Sequence, residues 1–195
     1  MKILKTDKRL IDEGHRYKIE GDLISDEEID LMDLDQPLYV TGSIIANKFI
    51  KAGRSIKAGR SIKAGEYIEA DGCINVDGFI KSGLYIKAGG YIDAGGFIDA
   101  GRSIKADGSI NANGPIKSGG SIWAGESIKA GRSIEAGGSI KAGEYIEAGE
   151  YIDAGEYIKA SGPIEANKFI KAGWGIKADE SIVAYDSIKV GKFSN

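Results

Sequence analysis

Residues that could carry chemistry are few in this 195-residue chain. His15 is the sole histidine and Cys73 the sole cysteine, so a Ser/His/Asp triad in the repeated part, a multi-histidine metal site and an internal disulfide are not expected. Carboxylate pairs such as Glu147 and Glu165 recur with the sequence repeat and carry no specificity for acid–base catalysis. The glycine-rich turns do not match the GxxxxGK[ST] pattern of a phosphate-binding loop. We therefore expect a protein that is not an enzyme and that needs no metal and no cofactor.

The dominant feature of the sequence is a six-residue repeat. Isoleucine recurs at every sixth position from Ile44 to Ile188, and alanine or another small residue usually follows two positions later. In a strand these two residues face the same side, while the residue between them faces the other. A period of six fits neither an α-helix nor a coiled coil. The pattern predicts an all-β, single-stranded β-helix (a β-solenoid) with about three hexads, or 18 residues, per coil.

The hexads also divide the chain. Residues 1–36 lack them and are predicted to form an N-terminal cap, with one or two strands in residues 17–25 and one helix starting at Ser25 or Asp26, whose side chains suit an N-cap. An acidic docking element is the alternative for this segment. The solenoid is predicted over residues 37–192 and the C-terminal end over residues 193–195. Glycine in the turns is predicted to supply a positive φ.

Stacking of hexads 18 residues apart predicts columns of side chains on the outer surface. One column holds Phe49, Tyr67 and Tyr85; such aromatic ladders either stabilise the solenoid or form a recognition strip. Trp123 and Trp174 interrupt positions that are usually charged or glycine, which favours them as binding anchors. The predicted partner-binding residues are Trp123, Trp174, Tyr67, Tyr85, Tyr145, Tyr151, Glu144, Glu147, Glu150, Asp153 and Glu156.

Charge is unevenly distributed along the chain. Residues 1–36 contain 6 basic and 11 acidic residues, whereas the remainder contains 20 basic and 18 acidic residues. A balanced surface argues against direct, sequence-specific reading of nucleic acid, which needs a net basic stripe. The charges are all basic in residues 48–63 and all acidic in residues 144–156, which predicts two charged girdles. They are either an ordinary solvated surface or serve to steer a partner or to join molecules head to tail.

The repeat relaxes towards the C-terminal end. The predicted self-association residues there are Val190, Phe193 and Tyr185, and we expect a homodimer or an end-to-end oligomer through the last coil. No apolar run is long enough for a signal peptide or a membrane span, so a cytoplasmic location without membrane contact is expected. For a phage-encoded protein that compartment would be the host cytoplasm.

Short rungs in the array resemble those of bactofilins, the polymer-forming cytoskeletal proteins of bacteria. The residues concerned are Gly42-Ser43-Ile44, Gly90-Tyr91-Ile92 and Gly96-Phe97-Ile98. This resemblance implies a β-helical core and a self-assembling structural role. The left-handed hexapeptide acyltransferases resemble the array less, because their small residue comes four positions after the aliphatic one and their activity depends on histidine. The handedness of the coil stays open.

Two functions follow from these features. The first is a non-enzymatic binding protein that docks on a protein or nucleoprotein partner through a rigid solenoid surface. By analogy of size and compactness it is similar to phage-encoded inhibitors of bacterial defence, such as anti-CRISPR proteins. The alternative is a self-assembling, bactofilin-like scaffold.

Overall fold

The computed structural model describes residues 1–191, which form a parallel β-solenoid of about ten coils, and these residues contain no helix. Most coils contain three strands of three residues, with the first and third side chains buried and the middle one turned outwards. Ile and Ala are the buried residues because they alternate with the charged residue between them, as the hexad predicts. The predicted all-β solenoid is confirmed.

The strands form three sheets, one on each side of the solenoid. Sheet 1 contains β1 (Ile11–Asp12), β2 (Tyr17–Ile19), β5 (Leu38–Val40), β8 (Ile56–Ala58), β11 (Ile74–Val76), β14 (Ile92–Ala94), β17 (Ile110–Ala112), β20 (Ile128–Ala130), β23 (Ile146–Ala148), β26 (Ile164–Ala166) and β29 (Ile182–Ala184). Sheet 2 contains β3 (Leu23–Ser25), β6 (Ile44–Ala46), β9 (Ile62–Ala64), β12 (Ile80–Ser82), β15 (Ile98–Ala100), β18 (Ile116–Ser118), β21 (Ile134–Ala136), β24 (Ile152–Ala154), β27 (Phe169–Ala172) and β30 (Ser187–Val190). Sheet 3 contains β4 (Ile29–Leu31), β7 (Ile50–Ala52), β10 (Ile68–Ala70), β13 (Ile86–Ala88), β16 (Ile104–Ala106), β19 (Ile122–Ala124), β22 (Ile140–Ala142), β25 (Tyr157–Ala160) and β28 (Gly175–Ala178).

The register confirms the predicted coil of 18 residues. Ile68 pairs with Ile50 on one side and with Ile86 on the other, and the same spacing holds through the array. The core is therefore a column of isoleucines against a column of alanines in each sheet. The isoleucines of the six-residue repeat from Ile44 to Ile170 are at most 1% exposed. Burying each isoleucine contributes about 1.5–3 kcal/mol before the entropy of ordering is subtracted, so this column supplies most of the stability.

Glycine occupies the turns of the array for a different reason from the one predicted. Within residues 1–191 only Gly14 and Gly21, both before the array, have a positive φ, so the predicted positive φ in the array turns is wrong. A Cβ on Gly65 would instead lie 1.9 Å from the carbonyl oxygen of Asn47 in the preceding coil. Close stacking of successive coils, rather than the backbone conformation of the turn, excludes a side chain there.

The predicted N-terminal helix is also wrong. Ile29–Leu31 forms strand β4, which pairs in parallel with β7 so that Ile29 and Leu31 stack on Ile50 and Ala52. Ser25 Oγ accepts a hydrogen bond from the backbone N–H of Glu27, 3.2 Å away, in a turn instead of an N-cap. The helix is absent because alternate apolar residues gain more by joining the sheet than an isolated short helix would gain.

Strands β2, β3 and β4 add one coil to the array in the same three sheets. Paired residues there are 21 positions apart, as for Leu23 and Ile44, because residues 32–37 form a longer connection that buries Leu34. Residues before β2 close this first coil. Ile3 is fully buried, and β1 pairs antiparallel with β2.

Burial decreases in the last described coil. Ile182 is half-buried, and Ile188 and Val190 are each 48% exposed, whereas the isoleucines of earlier coils are covered on both sides. In residues 1–191 no helix has the length and hydrophobicity that crossing a membrane would require.

Candidate interaction surface

Trp123 lies in the middle of strand β19, on the outer side of sheet 3. Its register neighbours are Lys105 and Lys141, as the 18-residue spacing predicts. The Lys105 ammonium lies 4.6 Å from the centre of the indole ring, a cation–π distance. Trp123 is half-buried, so part of the ring is available to a partner.

Trp174 lies at the corner between sheets 2 and 3, just before strand β28. It is 48% exposed, and its ring meets that of Tyr157 edge-on at 5.4 Å. Tyr157, itself 46% exposed, was not among the residues predicted from the sequence. The signal was present in its column, because small residues, Ser139 and Gly175, flank it and leave the ring uncovered. The structure thus places both tryptophans on or beside sheet 3.

The predicted aromatic ladders are stacked within the solenoid itself. Tyr67 lies between Phe49 and Tyr85, with ring centroids 4.9 Å and 4.8 Å apart. Burial raises the pKa of both tyrosines, because partial removal from water disfavours the charged phenolate. Phe79 and Phe97 form a second stack at 4.8 Å. These rings cover one another, so the ladders serve at least to hold successive coils together.

Tyr151 and Tyr145 lie elsewhere on the surface. Tyr151 stacks on Phe169 at 4.7 Å and donates a hydrogen bond to Glu135. Burial opposes the charged form of Glu135, but hydrogen bonds from Tyr151 and Lys117 outweigh it and lower the pKa of this carboxyl. Tyr145 lines a shallow cleft of sheet 1 beside Pro163. These two tyrosines are therefore separate from the tryptophans.

Three carboxylates of the predicted acidic girdle have basic partners in adjacent coils. Glu147 pairs with Lys129 at 3.0 Å, and Asp153 pairs with Lys171 at 3.1 Å. Glu150 pairs with both Arg132 and Lys168, whose hydrogen bonds lower its pKa.

The other two members, Glu144 and Glu156, accept hydrogen bonds from Ser127 and Ser139 at 2.8 Å and 2.9 Å. Neighbouring coils therefore compensate much of the acidic girdle.

The predicted self-association residues fall at the last described coil. Tyr185 is 81% exposed and Val190 lies in the terminal strand of sheet 2. Phe193 lies outside the described residues.

Sheet 1 carries a cleft that sequence reasoning missed. Tyr39 lies between two cations, with the Arg16 guanidinium 4.9 Å and the Lys57 ammonium 5.6 Å from its ring centre. Cys73 and Tyr91 complete the lining of this cleft. The register places Tyr39 directly beside Lys57, but the approach of Arg16 depends on the course of the N-terminal segment.

His15 is exposed, with its Nδ1 3.1 Å from the carbonyl oxygen of Glu13. In the part of the chain that the structure describes, no group of three or more His, Cys, Asp or Glu side chains is placed to hold a metal ion.

The fold and its surface define a class of protein, the parallel β-solenoids with an Ile- and Ala-filled interior and a variable outer face. Within this class, the β-solenoid domain of Flagellar Assembly Protein A (FapA) matches residues 63–192. Since the match spans more than half of the chain, the protein belongs to the FapA β-solenoid family. No curated protein and no solved structure gives a match. The specific resemblance to bactofilins stays a prediction.

Proposed function

We propose that the protein is a non-enzymatic binding protein that holds a protein or nucleoprotein partner on its rigid outer surface. The exposed pair of Trp174 and Tyr157, two to three coils along sheet 3 from Trp123, is the observation that carries this proposal. Large aromatic side chains on a preorganised surface lose little entropy on binding and are typical anchors of interfaces. The family name refers to flagellar assembly, and we propose that the partner is a component of that process.

The test compares partner capture by the wild type with capture by a Trp123→Ala/Trp174→Ala double variant. The immobilised proteins are incubated with lysate of the source cell, cross-linked, and the bound proteins quantified by mass spectrometry. Ile24→Ala is the control, because Ile24 is 56% exposed in strand β3 of sheet 2, away from both tryptophans. We expect the double variant to lose a specific captured protein that both the wild type and the control retain, with unchanged circular dichroism. Equal capture by all three proteins would remove the tryptophans as anchors.

A narrower form of this function is inhibition of a bacterial defence complex, as an anti-CRISPR protein encoded by a phage would act. Its support is the small size and compact, rigid surface of the solenoid. It requires that the captured partner be a CRISPR effector complex and that the purified protein block cleavage by that complex. A captured partner of another kind would reject it.

A self-assembling scaffold is the second candidate, supported by the exposure of Ile188 and Val190 in the terminal strand β30. Strand edges and apolar side chains at a coil end can pair with another molecule. We expect the particle size of the wild type in light scattering to grow with protein concentration. The Val190→Glu variant should stay monomeric. A wild type of fixed monomer mass at all concentrations would contradict this alternative.

A further inference from the structure

The outer side of sheet 3 carries a column of lysines. From β13 to β28 the middle residues of successive strands are Lys87, Lys105, Trp123, Lys141, Lys159 and Lys177. Coils are ~4.8 Å apart, so the column is ~24 Å long. All five lysines are exposed.

These lysines differ from several lysines of the other two sheets, which lie next to a carboxylate of an adjacent coil; where like charges are neighbours there, as at Lys63 and Lys81, the run is two residues long. On sheet 2, Lys117 pairs with Glu135 at 3.0 Å, and on sheet 1, Lys129 pairs with Glu147 at 3.0 Å. On sheet 3, Lys87 pairs with Glu69 at 2.7 Å. Within residues 1–191, however, Lys105, Lys141 and Lys159 form no ion pair: their register neighbours are Trp123 or other lysines. Repulsion along this column makes a bound anion favourable.

The edge of the column towards sheet 2 is flat and polar. Ser103, Ser121 and Ser139 precede strands β16, β19 and β22, and each is at least partly exposed. Tyr157 and Trp174 follow at the C-terminal end of this edge. The edge therefore offers the hydroxyls of Ser103 and Ser121 and aromatic surface beside the ammonium groups, while the Ser139 hydroxyl already donates to Glu156.

Carboxylates border the column on both sides. Glu126 and Glu144 lie at the corner towards sheet 1, where they accept hydrogen bonds from Ser109 and Ser127. Glu156 lies at the corner towards sheet 2. The cationic surface is therefore a narrow strip.

We propose that this strip binds an extended acidic segment of a protein partner, with carboxylates on the sheet 3 lysines. Side chains on one face of an extended segment recur every ~6.6 Å, a spacing that flexible lysine stems on a ~4.8 Å ladder can follow. A flat anionic membrane is less suitable, because its charge would meet the carboxylates of both corners. Single-stranded nucleic acid needs free aromatic faces for base stacking, whereas Lys105 covers Trp123 and Trp174 contacts Tyr157. This inference rests on the proposed function and names the partner class.

The test measures binding of a fluorescein-labelled Glu–Ser repeat peptide by anisotropy at two salt concentrations. The variant is Lys105→Glu/Lys141→Glu/Lys159→Glu, which the fold accommodates because glutamate occupies equivalent middle positions at Glu69 and Glu147. The control carries the same change of net charge at other positions.

The control substitutions are Arg54→Glu, Arg60→Glu and Lys63→Glu, at exposed cations outside the sheet 3 column. We expect the sheet 3 variant to bind the peptide at least about tenfold more weakly than the wild type, since three exposed charge pairs are reversed. The control should stay within about threefold of the wild type, and higher salt should weaken wild-type binding.

Equal loss in both variants, or no peptide binding by the wild type, would overturn the proposal. Stronger binding of a dT oligonucleotide, or of phosphatidylglycerol vesicles, through the same lysines would overturn it in favour of that partner class. In each of these cases the capture experiment with the tryptophan variants could still succeed, so failure here is distinguishable from failure of the proposed function.

Discussion

Gly143 and Gly108 both lie at the corner between sheets 3 and 1. Substituting them tests whether close stacking of coils or backbone conformation requires glycine in the turns. A Cβ on Gly143 would lie 1.9 Å from the carbonyl oxygen of Gly125, far inside any tolerated contact. A Cβ on Gly108 would lie 3.3 Å from the nearest atom, the backbone nitrogen of Tyr91. Neither residue has a positive φ, so alanine fits the backbone conformation at both positions.

The expected magnitudes follow from two opposing effects. Replacing glycine by alanine restricts the unfolded chain and stabilises by about 0.4–1 kcal/mol where the native φ permits it. At Gly143 the new methyl group meets backbone rather than a movable side chain, so successive coils must separate locally. Overpacking of this kind costs about 1–3 kcal/mol. We expect Gly143→Ala to lose about 1–2 kcal/mol net and Gly108→Ala to be close to neutral.

Thermal unfolding followed by circular dichroism measures the difference. For a protein of this size 1 kcal/mol shifts Tm by about 2–4 °C, so Gly143→Ala should melt roughly 2–8 °C below the wild type. Gly108→Ala should melt within about 2 °C of it. If both variants gain stability equally, close stacking on the preceding coil does not exclude a side chain at Gly143, and the reasoning is wrong.

Three further predictions concern the core, an aromatic ladder and an ionisable group. Ser82→Ala should raise the free energy of unfolding by about 1 kcal/mol in urea titration, because Ser82 is 2% exposed and its hydroxyl has no hydrogen-bond partner within residues 1–191. Ser118→Ala is the contrast and should bring no gain, since the Ser118 hydroxyl donates to the carbonyl of Arg102 and accepts from the N–H of Gly120. Tyr67→Ala should lower stability by about 1–3 kcal/mol beyond the lost area, because it removes two ring stacks; an unchanged urea midpoint would show that this ladder is not structural. Because the pKa of Glu135 is lowered in the folded state, its ionised carboxylate stabilises the fold above the usual glutamate pKa of ~4.3. This stabilisation is lost as pH falls through the folded-state pKa. The Tm difference between wild type and Glu135→Gln should therefore shrink between about pH 6 and pH 3, and a constant difference would contradict this assignment.

The period of the sequence was sufficient to predict most of the fold. Ile44 and Ile62 are 18 residues apart and pair directly, so the spacing that defines the repeat also sets the strand register. The ladder of Phe49, Tyr67 and Tyr85 could be predicted for the same reason. A solenoid is favourable for such reasoning because each coil contacts only its neighbours.

The errors arose where the outcome depended on contacts outside the local pattern. Ile29 and Leu31 follow N-cap residues, but they stack on Ile50 and Ala52, and that pairing decides for a strand. Glycine in a turn usually indicates a positive φ. Here the reason is an oxygen in the preceding coil, 1.9 Å from the Cβ that Gly65 would carry, which local turn chemistry does not show.

The candidate surface was only partly predictable, because columns follow from spacing but corners do not. The spacing places Trp123 between Lys105 and Lys141, and it separately places Trp174 in another column. Only the order of the sheets shows that Trp174, at the corner before β28, lies on the same side of the solenoid as Trp123, and that Tyr157, the first residue of β25, meets its ring. The anchors were therefore predicted one by one and their common location was not.

The arrangement of surface charge is not a requirement of the fold. Ile and Ala fill the interior in all three sheets, and lysine, glutamate, aspartate, asparagine and tryptophan all occur at the outward middle positions. A coil therefore accepts either sign of charge there at little cost. Sheets 1 and 2 place several opposite charges side by side, as Lys129 and Glu147 show, which lowers electrostatic repulsion, although Glu147 and Glu165 are also neighbours. Among the described residues, the run of Lys141, Lys159 and Lys177 on sheet 3 is longer than the like-charged pairs of the other two sheets, and the proposed acidic partner would compensate it.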